Sequence, residues 1–469
     1  MVIRFAFFIG VVAWGMWLLR RREDPLLVLV PLAVAFPPFL WYAGGTLGWP
    51  TGILSTRVAL VLCLACFVAH RVVWDDFSWR PVNGRLLVMP HLILVTASVI
   101  WGAFGVGAAD VPVLANEFVT WFLPVAVFFA VAARSRTEDD LAVASRTLLF
   151  TVVLAGVVAA TQVLFFLSHE ELIPGQLAQL ARRVADETWF GSFRVYGTFP
   201  TIGPNMFGVF LLIPTSVLLS RAAGASGATR WGWGLAALLA IGMLVGTYSR
   251  GAQAGLVVAC LGLPMWRRSW RMGTAIAGLG AVVAVLVAGT APWQHALRLF
   301  AGGQLDMDAL ERLNIWQTIL REAPAHPMGF GFNGWLRVSG RLMDLGVAGG
   351  ANTIGSSYPA ENQWFRELAD RGLAGVAAMA LLVGGLLVVT YRAAGARTPS
   401  GWQRDFMAGA GAGIAGFAIA MLTGDHLTYD SVAGMFWFTA ALVLSGARAD
   451  ARAVVPTSSP APALSTGGV

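Results

Sequence analysis

The chain has 469 residues, of which 57% are hydrophobic and only 12% are charged. Soluble domains carry about 25% charged residues, so this composition excludes an ordinary globular protein and indicates a polytopic membrane protein. The net charge is +7, and the chain contains no lysine. Because the arginines lie at the ends of apolar runs, where they orient a membrane protein, we expect the lipid bilayer as a partner and no nucleic acid.

Apolar runs of about 17–25 residues, long enough to cross a bilayer, recur along the whole chain. They predict an all-α polytopic membrane protein with about 12–13 transmembrane helices. The candidate spans lie near residues 3–20, 25–41, 53–70, 86–107, 113–133, 143–168, 201–220, 231–247, 251–266, 272–290, 373–392, 405–424 and 428–446.

Arginines fall in every second connection between these runs, and the short connections near 42–52 and 108–112 contain none. Connections rich in arginine stay in the cytoplasm. We therefore predict a multi-pass protein of the cytoplasmic (inner) membrane, with its N-terminus outside and its C-terminus inside. The segments predicted outside are 169–200, 247–251, 291–372 and 424–430.

The segment 291–372 is the long part of the second half that is too polar for a lipid core. Between Leu305 and Arg321 its apolar residues recur at helical spacing, which predicts an amphipathic helix. Those apolar positions are Leu310, Leu313, Trp316 and Leu320. We expect this helix to lie flat on the bilayer with its aromatic residue at the interface.

Familiar metal and nucleotide motifs are missing from the sequence. It has no G-x-x-x-x-G-K phosphate loop, no H-E-x-x-H pattern and no Cys/His cluster, so we expect no metal and no cofactor. The acidic pairs Asp75–Asp76 and Asp139–Asp140 lie beside arginines in predicted cytoplasmic connections. We interpret both pairs as solvated loop charges.

Three cysteines, Cys63, Cys66 and Cys260, lie inside apolar runs. The C-x-x-C spacing of the first two is also used in redox and metal sites. In so apolar a setting we interpret all three as thiols that face lipid or the core, without disulfides.

Arginine on the outer side runs against the orientation rule, so Arg194 and Arg250 need an explanation. Arg250 lies where two predicted spans meet with almost no loop between them, and Arg194 precedes a span. A guanidinium held at a membrane edge suits a phosphate or pyrophosphate group. The alternative is an interfacial arginine that reaches lipid phosphate.

Glu361 opens a helical run that leads into the span at 373–392. A carboxylate at a helix start is often only a capping charge. A single outer carboxylate near several arginines also suits a general base that activates a hydroxyl. Arg312, on the predicted amphipathic helix, is either a solvated charge or a third phosphate contact. Asp425 and His426 form a second acid/base candidate, or an ordinary polar turn.

Four segments in this order resemble the O-antigen ligase and polysaccharide polymerase superfamily of membrane glycosyltransferases. They are Arg194…Gly197-Thr198-Phe199…Pro204-Asn205, Thr247-Tyr248-Ser249-Arg250-Gly251-Ala252, Arg312…Trp316 with His326-Pro327-Met328-Gly329-Phe330-Gly331, and Glu361-Asn362-Gln363-Trp364-Phe365. The resemblance covers roughly residues 190–440.

The resemblance implies an undecaprenyl-pyrophosphate-linked glycan as donor and a saccharide hydroxyl as acceptor, used outside the cytoplasmic membrane without nucleotide or metal. Carried over by position, Arg194 and Arg250 bind the donor pyrophosphate and stabilise it as leaving group. Glu361 stands where ligases of the family typically have the histidine of a His-Asn pair, here followed by Asn362. The glutamate can still act as base, but it weakens the ligase interpretation and leaves a polymerase open. We add Asn205 and Tyr248 to Arg312, Asn362, Asp425 and His426 as substrate-binding candidates.

The resemblance divides the chain into three predicted regions. Residues 1–190 form N-terminal transmembrane helices, residues 191–446 form the ligase/polymerase-like catalytic region with its outer loop, and residues 447–469 form a disordered cytoplasmic tail.

The first functional hypothesis is an inverting, metal-independent glycosyltransferase, with a polysaccharide polymerase favoured slightly over an O-antigen ligase. A lipid-linked glycan flippase is the alternative from another class, and it predicts ionisable residues along a path through the membrane.

Overall fold

A computed structural model describes residues 24–36, 56–73, 84–103, 111–134, 136–167, 194–199, 203–274, 278, 307–332, 360–396 and 401–447. Within these residues the regular structure is helical throughout, without a strand, so the all-α prediction is confirmed. The predicted spans 3–20 and, for the most part, 272–290 lie outside the described residues. The same holds for the acidic pair Asp75–Asp76, the loop 342–359 and most of the tail 447–469.

The described helices follow the predicted order of spans. They are α1 Leu26–Ala35, α2 Thr56–Val73, α3 Arg85–Ala103, α4 Val111–Ala132, α5 Glu138–Leu167, α6 Pro204–Gly224, α7 Gly227–Gly246, α8 Arg250–Arg267, α9 Met307–Glu322, α10 Gln363–Ala394, α11 Gly401–Ala420 and α12 Asp430–Gly446. Two 3₁₀ turns, Met421–Thr423 and His426–Thr428, connect α11 to α12.

Seven of the described helices are long and apolar enough to cross a membrane. Helices α1 and α12, and the part of α4 from Phe118 to Ala132, are apolar but shorter. Helix α8 has 18 residues, yet Arg250, Gln253 and Arg267 lie within it and lower its hydropathy. The helices therefore make this an integral membrane protein.

The centre of the bundle is formed by α6, α8 and α11, which approach through small residues. A Cβ at Gly416 of α11 would collide with the backbone of Gly255 in α8, and one at Gly409 would collide with Val217 of α6. Because lipid gives helices no hydrophobic drive to associate, close backbone packing of this kind holds membrane helices together.

One end of the bundle collects the segments predicted to be cytoplasmic. Asp405 of α11 accepts from Arg221 of α6 and from Arg267 of α8, each at 2.5 Å. Asp24, just before α1, pairs with Arg136 at 2.7 Å. The segments predicted to be outside meet at the opposite end, so the alternation holds among the described helices. The orientation of the bundle in the membrane stays a prediction.

Helix α10 is interrupted at Gly372, whose φ of 64° and ψ of −161° are not helical. Essentially only glycine adopts this backbone conformation. The break frees carbonyl groups on the preceding turn, and two of them accept from the loop after α9: Phe330 N donates to Ala369 O and Gly331 N donates to Asp370 O, at 2.7 and 3.1 Å. The break thus separates a short outer part, residues 363–371, from the apolar part that crosses the membrane.

Candidate active site

Arg194 is held beside the start of α6 and the end of α7. Its Nε donates to Thr247 O at 2.8 Å and its Nη2 donates to Asn205 Oδ1 at 2.7 Å. The next residue, Val195, donates its N–H to Gly246 O at 2.8 Å. These two side-chain contacts fix the guanidinium through neutral oxygen atoms, so they do not cancel its charge. Two substrate candidates predicted from separate segments, Arg194 and Asn205, are therefore in direct contact.

A tight turn joins α7 to α8 and places Arg250 as the first residue of α8. Tyr248 has a φ of 52°, a left-handed conformation that is uncommon for a side-chain-bearing residue. Ser249 caps α8 by accepting from Ala252 N at 3.4 Å. Gly208 of α6 packs so closely on Thr247 and Ala252 that α6 and α8 begin side by side.

The connection between α11 and α12 links this turn to the start of α10. Gly251 packs against the side chain of Thr423. From the other helix, Asn362 Nδ2 donates to Leu422 O at 3.0 Å and Gln363 N donates to Gly424 O at 3.2 Å. The neighbours of Arg250 and of Glu361 thus contact the same short turn, and the N-termini of α6, α8 and α10 gather at one end of the bundle.

Asn362, rather than Glu361, caps α10. Its Oδ1 accepts from Trp364 N at 3.0 Å and from Phe365 N at 3.3 Å. Glu361 itself has a φ of 47° and lies outside the helix. The capping role considered for Glu361 is therefore filled by its neighbour, and its carboxylate is directed elsewhere.

The carboxylate of Glu361 pairs with Arg312 of α9, which brings together two of the predicted site residues. Trp316 anchors the helix: its Nε1 donates to Ala360 O at 3.0 Å, and its ring stacks on Phe365 with centroids 5.2 Å apart.

Helix α9 is amphipathic as predicted, but its packed face differs from the predicted one. Ile315 and Ile319 are buried, whereas Leu320 is 53% exposed. Trp316 also contacts protein here and not only a membrane interface. The spacing of leucines alone was misleading, because the face at Ile315 and Ile319 docks on the outer part of α10, an element that helical spacing cannot identify.

The second acid/base candidate is buried. Asp425 accepts from Arg366 at 2.9 Å. The ring of His426 contacts Ala420 O through Nε2 at 3.0 Å and Met206 Sδ through Nδ1 at 3.3 Å. Burial lowers the pKa of His426 to about 4, against the opposing effect of the Asp425 charge and the bond to Ala420. His426 is therefore a neutral, packed side chain at pH 7.

Tyr429, in the same connection, was not singled out from the sequence. Burial raises its pKa to about 12, and the charges of Asp425 and Glu361 add to the rise. Its hydroxyl thus stays protonated beside the Glu361 carboxylate.

The outer part of α10 carries a buried ionic network that sequence reasoning also missed. Glu367 pairs with Arg371 and accepts from Gln363 Nε2 at 3.0 Å. Arg366 lies 3.5 Å from Asp370. These pairs are spaced i, i+4, a signal that was available in the sequence.

The network reaches α3 and α4. Arg371 donates to Ser98 Oγ at 3.3 Å and lies over the ring of Trp121. His91, also next to Trp121, is fully buried, and its two ring nitrogens have no hydrogen-bond partner among the described residues. At the same end of the bundle, Arg57 donates to Asp430 at 2.8 Å. These contacts pin the outer part of α10 to the bundle.

Other sequence candidates have structural surroundings. Asp140 accepts from Thr137 N at 2.8 Å at the start of α5, a capping arrangement. Cys63, Cys66 and Cys260 are free thiols within α2 and α8.

Comparison with known proteins gives one match. A family model described as O-antigen ligase matches residues 235–380, a segment that includes the turn at Arg250, helix α9 with Arg312, and Glu361. A search of the curated proteins found no match to the chain.

Proposed function

Because this match confirms that the chain is related to the O-antigen ligase and polysaccharide polymerase superfamily, we propose that it is an inverting, metal-independent glycosyltransferase. Membrane enzymes of the ligase and polymerase kind are its coarse class. In our proposal the donor is an undecaprenyl-pyrophosphate-linked glycan, the acceptor is a saccharide hydroxyl, and the reaction takes place at the outer face of the cytoplasmic membrane.

One observation carries this proposal: the N-termini of α6, α8 and α10 meet, with Arg194 and Arg250 at two of them and Glu361 directly before the third. Helix N-termini carry partial positive charge and bind phosphate groups. Two guanidinium groups at the same place favour a pyrophosphate. The carboxylate supplies the base that a transfer to a hydroxyl requires.

The reaction then needs one displacement at the anomeric carbon. The acceptor hydroxyl gives its proton to the Glu361 carboxylate, and its oxygen attacks the carbon from the face opposite the pyrophosphate. A new carbon–oxygen bond forms as the bond to the phosphate oxygen breaks, and the electron pair leaves with the pyrophosphate. Arg194 and Arg250 stabilise the charge that develops there, which lowers the barrier.

The remaining candidates take supporting parts in this proposal. Arg312 contacts donor phosphate, and Tyr248 and Asn205 shape the site around the two arginines. Asn362 holds the start of α10 through its bonds to Trp364 N and Leu422 O. Asp425 and His426 maintain the connection between α11 and α12, because both are buried and in contact with protein groups.

The acceptor decides between the two members of the class. A polymerase adds glycan to a growing chain, and a ligase passes it to lipid A-core or another acceptor. Glu361 in place of the ligase histidine favours the polymerase, and the O-antigen ligase description of the matching family keeps the ligase as second candidate.

Glycan profiling of cells that carry Glu361→Ala or Arg250→Ala, with protein level and membrane insertion measured alongside, tests the proposal. We expect undecaprenyl-linked glycan to accumulate and finished polymer to be lost. Accumulated single repeats identify a polymerase, and long unattached chains identify a ligase. Normal polymer in both variants at wild-type protein level would contradict the proposal.

A further inference from the structure

The proposed base of the reaction is occupied. The Glu361 carboxylate forms an ion pair with Arg312, so a proposed phosphate ligand and a proposed base hold each other. A carboxylate paired with a guanidinium is a weaker base, because taking up a proton means losing the ion pair. Likewise, a guanidinium committed to a carboxylate offers less to a phosphate. The pair therefore suppresses both roles in the absence of substrate.

The pair is placed where it can open. The side chains of Arg312 and Glu361 are 29% and 31% exposed, and ion pairs of such exposure add little to stability. The buried pair of Glu367 and Arg371, with exposures of 0% and 1%, shows how the same chain builds a permanent ion pair nearby.

Opening the pair leaves the backbone of both residues in place. Trp316 holds α9 to Ala360 by its hydrogen bond and to Phe365 by stacking, and Ile319 is buried against the outer part of α10. These contacts are independent of the ion pair. Only the two charged side chains need to rotate, and the left-handed backbone of Glu361 is the strained conformation expected at a functional position.

We propose that Arg312 is a donor sensor: the donor pyrophosphate takes Arg312 from Glu361, so that the base is released only when the donor is bound. This inference rests on the proposed function. A pyrophosphate offers several oxygen atoms to the guanidinium fork, which binds phosphate in a bidentate manner. It therefore competes successfully with a partly exposed carboxylate.

The other charged and titratable groups around Glu361 stay where they are in this exchange. Tyr429 approaches it from the connection between α11 and α12, and Asp425 and Arg366 lie beside Tyr429. Arg366 is bound to two carboxylates, those of Asp425 and Asp370. Arg312, on a different helix from all of these, is the group that changes partner.

The test measures affinity for undecaprenyl pyrophosphate without sugar, using purified protein in lipid nanodiscs. Because Glu361 competes with the ligand for Arg312, we expect Glu361→Gln to bind it more tightly than the unchanged protein, by about fivefold or more as is typical for coupled equilibria. In an Arg312→Gln background the same Glu361→Gln change should add nothing, because the competition no longer exists. Arg321→Gln, an exposed arginine of the same helix, is the matched control and should leave the affinity unchanged.

Two results would overturn the inference. One is that Glu361→Gln binds no tighter than the unchanged protein, and the other is that the gain persists in the Arg312→Gln background, which would mean simple charge repulsion. Inorganic pyrophosphate as a second ligand should show the same pattern at lower affinity, and absence of the pattern with both ligands also counts against the exchange. Failure of the proposed function is distinguishable, because Glu361→Gln would then still transfer glycan.

Discussion

The two ends of the helix bundle both hold arginines, and they hold them differently. At the end predicted to be cytoplasmic, Arg221 and Arg267 share the buried carboxylate of Asp405, which is 1% exposed. At the opposite end Arg194 donates to a carbonyl and an amide oxygen, and Arg312 forms a pair that is nearly one-third exposed. The first end neutralises its arginines within the protein, whereas the second fixes them in position with neutral or replaceable partners.

The difference separates structural arginines from those proposed to bind substrate. A guanidinium bound to a buried carboxylate has little to gain from an anion, since its charge is already compensated. One fixed by neutral oxygens stays electrostatically available to a phosphate. The surroundings of a charged residue therefore say more about its role than its type or its position near a membrane surface.

The largest effect on stability is expected at the predicted cytoplasmic end. Asp24→Ala removes the partner of Arg136, and the pair is almost fully buried, with exposures of 2% and 1%. Breaking a buried ion pair costs about 3–5 kcal/mol, so we expect a large drop in thermal stability in nanodiscs. Asp139→Ala, an exposed carboxylate at the same end, should cost less than about 1 kcal/mol. Equal stability of both variants would remove the contrast between the two ends.

At the outer end we expect the reverse pattern, a loss of rate with little loss of stability. Arg250→Ala and Arg194→Ala should each slow glycan transfer by about 10²–10³-fold, the range found when one group that stabilises transition-state charge is removed. Arg230→Ala, an exposed arginine between α6 and α8 at the other end, should leave the rate unchanged. The measurement is the initial rate of polymer formation from lipid-linked donor, and a normal rate in Arg250→Ala would contradict the assignment.

The break in α10 sharpens the comparison, because it sets the outer part of that helix apart from the span. Gly372→Ala places a side chain on a backbone with φ of 64° and against Pro327 O, at a cost of about 1–3 kcal/mol. Gly384→Ala, in the same helix with open space around its Cα, should be neutral or stabilise by up to about 1 kcal/mol. Thermal unfolding of the two variants measures the difference. A tolerated Gly372→Ala would show that the break does not depend on glycine.

The smallest effect concerns His426. Burial lowers its pKa to about 4 in the folded protein, against about 6.5 in an unfolded chain. Its contribution to stability is therefore complete above pH 6.5 and is lost as the pH falls from there towards 4, because the unfolded state binds the proton first. His426→Gln should flatten this part of the stability profile while transfer activity at pH 7 is retained. An unchanged slope would mean that His426 is not the group responsible.

Much of the fold could be predicted because membrane spans depend on local composition. The runs that became α2, α3, α5, α6 and α7 are visible as stretches of apolar residues, and the amphipathic pattern of α9 is equally local. Arg194, Arg250 and Glu361 stood out because each departs from what its local sequence requires.

What could not be predicted depends on contacts between distant segments. The partner of Arg366 is Asp425, and the face of α9 that is buried depends on the outer part of α10. The pairing of Arg312 with Glu361 joins two residues that were considered separately as ligand and base. His426 looked like a chemical group in a turn, and only its contacts with Met206 and Ala420 make it a packed one.

The most direct test of the division between the two ends compares Glu361→Gln with Asp405→Asn in one experiment. For each purified variant in nanodiscs, the transfer rate per folded molecule and the thermal stability are measured together. We predict that Glu361→Gln keeps its stability and loses transfer by about 10²-fold or more, as expected for a general base, whereas Asp405→Asn loses stability and keeps its rate per folded molecule. A Glu361→Gln protein that transfers glycan at the normal rate would contradict the account.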